Sequence, residues 1–350
     1  MYPALAVASK LPATAQALWV GSVGGMEREL VEREGIEFRG IQGGAVVGVG
    51  LWRGGIGLAK LAWGTAQALG LIRRFRPGAL LTTGGYAAIP MALAAKLTGV
   101  PVLVYLPDIE PGSAVKLIAR LAAKVAVTAE ESRAWFPNKK VVVTGYPVRP
   151  SLAGATRSQA CQHFGLSEGR RTLLVFGGSR GARSINLALL EVLDDLLDET
   201  QVIHVSGELD WPAVKARREN LPADRQAHYH AFPYLHDEMG LALAAADLVV
   251  SRAGAGALGE FPIAGLGAIL VPYPHAWRYQ KVNADFLAAR GAAIRLNDED
   301  LKMKLLPTIR ELLRDPARLA AMGAAARASA VPDAAERIAA ELSALAGIRP

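Results

Sequence analysis

Short, almost uninterrupted apolar runs of four or five residues recur along this chain, each separated from the next by an amphipathic stretch of helical length. "ALWVG", "ALLTTG", "VLVYL", "KVAVT" and "KVVVTG" stand in the first half, and "RTLLVFGG", "QVIHVSG", "LVVSRAG", "AILVPYP" and "AAIRL" in the second. A strand that is apolar at consecutive positions needs cover on both faces, so the pattern predicts an α/β protein of parallel sheets with helices on both sides. The proline-bearing "TGYPVRPSLAGATRS" separates the two series. It implies two doubly wound domains, 1–148 and 149–331, followed over 332–350 by an amphipathic helix, "DAAERIAAELSALAG", free to pack on either.

Bulk properties narrow the class. With 350 residues and 51% apolar composition, two buried cores are affordable. Cys161 is the single cysteine, which excludes an intrachain disulfide and favours a reducing interior. No basic leader precedes an apolar core at the start, and every long apolar stretch is broken by glycine, proline or charge, as by Lys96. The expectation is a protein inside the cell without a transmembrane helix. The net charge of +7 is unevenly spread: positions 38–107 carry no Asp or Glu, but hold Arg39, Arg53, Lys60, Arg73, Arg74, Arg76 and Lys96. The positive field therefore belongs to the first domain.

Three glycine turns follow apolar runs and lead into helices. "FGGSRGARSIN" carries Gly178, Ser179 and Gly181; "TTGGYAAIP" carries Gly84, Gly85 and Tyr86; "SRAGAGALGE" carries Gly254, Ala255 and Ala257. Glycine lets backbone amides approach an anion, and a helix N-terminus adds about half a positive charge, so a phosphate suits such a turn. The Gly178–Gly181 turn lacks the G-x-G-x-x-G spacing of dinucleotide enzymes, and one such turn alone is equally an ordinary tight connection. Three of them, shared by two domains, point to a ligand in a cleft.

Other stretches each admit two readings. Glu260, two helical turns beyond Gly254, suits a ribose or a solvated helix face. "PYPHAWRYQKVNADFL" supplies His275, Arg278, Gln280 and Asn283 for sugar hydroxyls, or an unremarkable surface helix. "YLPDIEPG" places Asp108 and Glu110 in a proline-bounded turn, as general bases or as solvated carboxylates, without the further ligands a metal needs. The segment 51–76 combines Trp52, Leu58, Leu61 and Trp63 with Arg73 and Arg74. That suits an anionic membrane surface, or a core helix with a basic end. The aromatics are not interleaved with the charges as stacking platforms, so nucleic acid is not expected.

Taken in order, "YPALAVA", "TTGGYAAIP", "KVAVT", "VVVTGYPVR", "LLVFGGSRGARSIN", "HVSG", "ADLVVSRAGAGALGE" and "HAWRYQKVNA" resemble the peptidoglycan N-acetylglucosaminyltransferases of the GT-B superfamily, glycosyltransferase family 28. The resemblance implies two Rossmann-like domains facing a cleft, with the C-terminal helix returning to the first. It implies inverting transfer of N-acetylglucosamine from UDP-N-acetylglucosamine to lipid I, a polyprenyl-diphosphate-linked muramyl peptide, giving lipid II. The nucleotide sugar is a substrate, so no cofactor or metal is expected, and the enzyme would sit peripherally on the cytoplasmic face of the cell membrane. Carried over by motif, Glu260 holds the ribose, the 177–181 turn with Ser179 and the amides of 255–257 meet the diphosphate, and Gln280 and Asn283 orient the sugar. Tyr234 and Leu235 offer backbone to the uracil, Arg149 lies at the cleft, and Gly84, Gly85 and Tyr86 lie on the acceptor side.

Three departures accompany the resemblance. "YLPDIEPG" stands where the family has "HEQN" before a proline and glycine, which keeps open a related lipid glycosyltransferase acting on another acceptor such as a diacylglycerol. Ala257 stands where many members have threonine. The family's strand and "GGTGGH" turn, with its favoured histidine base, would precede the Tyr2 helix, which here follows Met1 directly. The sequence thus names no catalytic base beyond the weak substitutes Asp108 and Glu110. It leads to the expectation of donor binding with poor transfer, and keeps open a non-catalytic nucleotide-sugar-binding homologue.

Overall fold

A computed structural model describes residues 1–24, 27–42, 51–85, 87–152, 154–178, 181–275 and 279–348, with backbone alone at 51–56 and 58. The chain forms two units, one of residues 1–149 together with 331–350, the other of residues 150–330.

In the first unit, β1 (Leu18–Ser22) pairs in parallel with β2 (Glu37–Ile41), Trp19 opposite Phe38. A four-stranded parallel sheet follows in the order β3 (Leu80–Thr82), β4 (Val102–Leu106), β5 (Lys124–Val127) and β6 (Val141–Val143). All five residues of β4 are buried, because helices cover both faces. Val102, Val104 and Leu106 join a core with Ala68 and Ile72 of the helix Leu51–Phe75 and with Met91 of the helix Ala88–Thr98. Leu103 and Tyr105 face the opposite core, which contains Val7 of the helix Tyr2–Ala8 and Ile338 and Ala339 of the helix Ala334–Leu345. Lys10 to Glu336 at 2.8 Å and a Lys124 to Glu341 pair edge this second core. The amphipathic C-terminal segment thus packs within the first unit.

The helix Leu51–Phe75 has its described buried positions at Gly57, Gly64, Ala68 and Ile72, a stripe of small residues at helical spacing. Those residues let it lie close to β2 and to the helix Ala88–Thr98, while Trp63, Arg73 and Arg74 point outward. Among the described residues no helix is long and apolar enough to cross a membrane.

The second unit is one parallel sheet in the order β12 (Ala293–Arg295), β11 (Ala268–Leu270), β10 (Leu248–Ser251), β7 (Thr172–Phe176), β8 (Gln201–Val205) and β9 (Tyr229–Phe232). The chain winds outward from β7 to β9, then restarts at β10 on the other side of β7. The β7/β10 junction is therefore the point where strand order reverses, and beyond the carboxyl ends of those two strands the flanking connections diverge to leave a crevice. At the opposite ends Asp247 ties the two strands together. It accepts from the Thr172 amide at 2.8 Å and pairs with Arg157 at 3.1 Å and Arg171 at 2.7 Å.

Candidate donor site at the strand-order reversal

Both glycine turns of the second unit open at this junction. β7 ends at Phe176, opposite Ser251 of β10, and the 177–181 turn leads into the helix Arg183–Glu191. Gly178 and Gly181 adopt φ of +84° and +74°, and a side chain at Gly181 would bring its Cβ within 2.3 Å of the Ser206 carbonyl oxygen. Only glycine fits there. Among the described residues no side chain caps this helix at its N-cap, Ala182, so its first-turn amides are candidates to receive an anion. Ser179 lies outside the described residues.

The turn after β10 departs from its sequence reading. Ala255–Leu258 is a 3-10 turn, and Gly259, at φ −129° and ψ −45°, breaks it from a separate helix, Glu260–Ala264. Glu260 is consequently the first residue of that helix rather than a residue two turns inside one starting at Gly254. Its carboxylate reaches back over the turn, 3.2 Å from where a Cβ on Gly256 would stand. The tight turn also uses the amide of the buried Ala257, which donates to the Gly254 carbonyl at 3.0 Å. The Gly181 amide is similarly engaged with Gly178 at 3.0 Å. Within 255–257, the Ala257 amide is thus spent inside the turn.

Gln280 and Asn283 lie on the helix Tyr279–Ala289, and each bonds to backbone outside that helix. Asn283 is fully buried and donates through Nδ2 to the Ala253 carbonyl at 3.1 Å, while Gln280 Oε1 accepts from the Tyr273 amide at 2.8 Å. Asn283 is thus a brace beneath the 252–256 turn rather than part of an exposed polar face, because the helix packs its 283/287 side against that turn. Phe176 and Phe261, with ring centroids 6.0 Å apart, join the two turns from below. Tyr234 is half-buried with its ring edge on His236, and Leu235 is buried.

Two clusters at this site were not singled out from the sequence. Arg252 donates to Asp298 and to Ser184 Oγ (2.7 Å), Ser184 in turn donates to Asp298 at 2.7 Å, and Arg252 lies 5.3 Å over the Tyr273 ring. It ties the ends of β10 and β11 to the helix after β7. Behind the glycine turn, buried His204 bonds Asn186 Oδ1 at 3.0 Å through Nε2 and the Tyr229 hydroxyl at 2.7 Å through Nδ1. Asn186 donates to the Ser206 carbonyl and to Asp210, each at 2.8 Å. Because Asn186 offers His204 an acceptor, the proton sits on Nε2 and Tyr229 donates to Nδ1. Burial pulls the His204 pKa down to about 3 and pushes the Tyr229 hydroxyl up, so both stay neutral. The "HVSG" tetrapeptide and a mid-helix Asn were the available signals, but neither pairs with the other by spacing.

In the first unit, Gly84 and Gly85 follow β3 at φ +96° and +100°, and Tyr86 lies outside the described residues. The Asp108–Glu110 turn is not a solvated loop: Glu110 is buried, and Ser132 Oγ donates to the Ile109 carbonyl at 2.9 Å. Arg149 belongs to this unit, its guanidinium 4.1 Å over the Tyr2 ring. Of the membrane patch, Trp63 is 62% exposed, and Arg73 and Arg74 are exposed. Leu61 instead leans on the core, one turn before the buried Gly64, which removes it from an outward face. The side chains of Trp52 and Leu58 lie outside the described residues.

Comparison with known proteins agrees with this geometry. A family model described as the glycosyltransferase family 28 N-terminal domain matches residues 1–127, and one described as its C-terminal domain matches residues 172–338. The chain is 42% identical to the UDP-N-acetylglucosamine–N-acetylmuramyl-(pentapeptide) pyrophosphoryl-undecaprenol N-acetylglucosamine transferase of Roseiflexus sp., covering 97% of this chain and 91% of the relative. It is 38% identical to the protein of that name from Moorella thermoacetica, covering 97% and 94%. Among solved structures, MurG of Acinetobacter baumannii superposes at TM-score 0.76 with 28% identity, over 98% of this chain and 95% of that one. A UDP-GlcNAc 2-epimerase from Neisseria meningitidis, at 13% identity and TM-score 0.69 over 98% and 97%, shares the fold alone. The two family models and the 42% and 38% identities over nearly the whole of this chain place it in glycosyltransferase family 28.

Proposed function

We propose that the chain is a hexosyltransferase that moves N-acetylglucosamine from UDP-N-acetylglucosamine to a muramyl peptide carried on a polyprenyl diphosphate, the reaction named for its relatives at 42% and 38% identity. The observation that carries the reading is the paired glycine turns at the β7/β10 reversal, with an uncapped helix start on one side and Glu260 over the other.

In this reading the amides of the Arg183–Glu191 helix start, with those of Ala255 and Gly256, receive the diphosphate. Glu260 accepts the two ribose hydroxyls. As the acceptor hydroxyl attacks the anomeric carbon, the bond to UDP breaks, inverting that carbon, and the leaving diphosphate gains charge that fixed amide dipoles stabilise without reorganising. Gln280 and Asn283, anchored on Tyr273 and Ala253, set the turn and loop between which the sugar sits. The acceptor's C4 hydroxyl surrenders its proton to a base for which no residue is assigned. The acceptor's polyprenyl tail brings the protein to a lipid surface, and Trp63 with Arg73 and Arg74 supplies an amphipathic, cationic contact.

Transfer of radiolabelled sugar from UDP-N-acetylglucosamine, offered the muramyl lipid and a diacylglycerol in parallel, tests this. Label is expected on the muramyl lipid. Label on the diacylglycerol alone assigns another acceptor, and binding of UDP-sugar without transfer to any lipid leaves a nucleotide-sugar-binding protein.

A further inference from the structure

In the sheet of the second unit, Phe176 of β7, Ser251 of β10 and Leu270 of β11 stand in one register row, the last before these strands give way to loops. The loop after β11 therefore leaves the sheet beside the 252–256 turn, at the same carboxyl-end crevice as the two glycine turns. Val271 is buried and Pro272 half-buried, and the first exposed residue of the loop is aromatic: Tyr273 keeps 44% of its surface open. A single exposed tyrosine ordinarily needs no explanation. This one is gripped from several sides.

The Tyr273 amide donates to Gln280 Oε1 at 2.8 Å. The two carbonyls before it, of Val271 and Pro272, accept from Arg252 Nη1 at 3.3 and 3.4 Å. The same guanidinium lies 5.3 Å over the Tyr273 ring, and the His275 ring meets it edge-on, with centroids 5.5 Å apart and an interplanar angle of 78°. Arg252 is fixed in its turn, with a side chain only 10% exposed that bonds to Asp298 and to Ser184 of the helix after β7. The backbone of Tyr273 and one face of its ring are thus set by a residue that also braces the start of the diphosphate helix. A ring held in this way before a ligand arrives loses little freedom when one binds.

We propose that Tyr273 is a sugar-binding residue of the donor site: the open face of its ring carries the apolar face of the transferred pyranose, and so lets the site favour a nucleotide sugar over the bare nucleotide. This rests on the donor reading above, in which Gln280 serves the sugar. The face of a pyranose presents C–H bonds whose partial positive charge complements the negative face of an aromatic ring, whereas a diphosphate needs donors that a ring face lacks. Gln280, whose Oε1 holds the Tyr273 backbone, puts the sugar at this loop.

Calorimetric titration of the full chain with UDP-N-acetylglucosamine and with UDP, in the wild type, Tyr273→Ala and Tyr273→Phe, tests the assignment. Tyr273→Ala is expected to weaken UDP-N-acetylglucosamine about three- to tenfold, the scale of one lost ring contact, and to leave the affinity for UDP unchanged. Tyr273→Phe keeps the ring and is expected to restore the affinity for the nucleotide sugar. A loss shared equally by UDP overturns the proposal, since the ring then serves the nucleotide or the framework of the site. Phenylalanine as weak as alanine overturns it too, because the hydroxyl is then the contact. A wild type that binds neither ligand fails the donor reading and this assignment with it, whereas one that binds both, with an affinity ratio unmoved by Tyr273→Ala, fails the Tyr273 assignment alone.

Discussion

Glu260 and Asn186 show how differently two polar residues serve one site. Glu260, at a helix start over the 254–259 turn, is the carboxylate proposed to hold the two ribose hydroxyls. A hydrogen bond to a charged group contributes about 1.5–3 kcal/mol, so Glu260→Ala is expected to raise the KM for UDP-N-acetylglucosamine roughly 10- to 150-fold. Titrating donor at fixed acceptor checks this, and an unchanged KM removes Glu260 from the donor site. Asn186 touches no ligand in this reading. It holds the Ser206 carbonyl against Gly181 and gives His204 its acceptor. Asn186→Leu strands two buried groups at about 1–3 kcal/mol each, which urea unfolding should register as a lowered midpoint with an unchanged slope. The spacing of the motifs made the turn residues legible, since glycines after an apolar run have few other uses. Partners such as Asn186 and His204, brought together from a helix and a strand, leave no local signature.

At the scale of elements, the helix Leu51–Phe75 is the instructive case. Its glycines look like poor helix formers, yet Gly64 lies on the buried stripe, where a Cβ would stand 2.1 Å from the Gln42 carbonyl oxygen. Gly70, six residues on, has nothing within 4 Å. Gly64→Val should cost about 1–3 kcal/mol through overpacking, while Gly70→Ala should gain about 0.5–1 kcal/mol of helix propensity. Paired denaturation curves of opposite sign are the check. The basic end of the same helix makes a separate prediction. With about 1 kcal/mol per basic residue near an anionic bilayer, changing Arg73 and Arg74 together to Ser should weaken binding to phosphatidylserine vesicles about 30-fold, and leave binding to neutral vesicles unaltered. Equal loss on both vesicle types would mean the contact is not electrostatic.

For the whole molecule, the histidines of the second unit set how stability responds to acid. Burial holds His204 neutral with a pKa near 3 and His230 near 4, both below the unfolded value of 6.5. Between those limits the unfolded chain binds protons that the folded chain refuses. Stability is therefore complete above about pH 6.5 and falls as pH drops, by up to about 1.4 kcal/mol per pH unit for each histidine. Melting temperatures measured from pH 7.5 to 4.5 should decline, and His204→Gln should flatten the decline, whatever it costs at pH 7.5. A profile as steep in the variant would assign the loss to other groups.

Ten of the twelve described strands, though not β2 or β9, the glycine turns and the two-series organisation were legible in the residues alone. A fully buried parallel strand is mostly written as an apolar run, as in β4, and a turn with positive φ can hardly be written without glycine. Those constraints are local. Long-range placement was not legible in the same way: Asn283 lies beneath a turn thirty residues away, Glu260 begins its own helix because Gly259 breaks the turn, and Leu61 leans inward while Trp63 does not. A side chain's partners depend on which elements stack against it, and stacking is settled by the summed burial of many distant residues, no one of which carries a record of it.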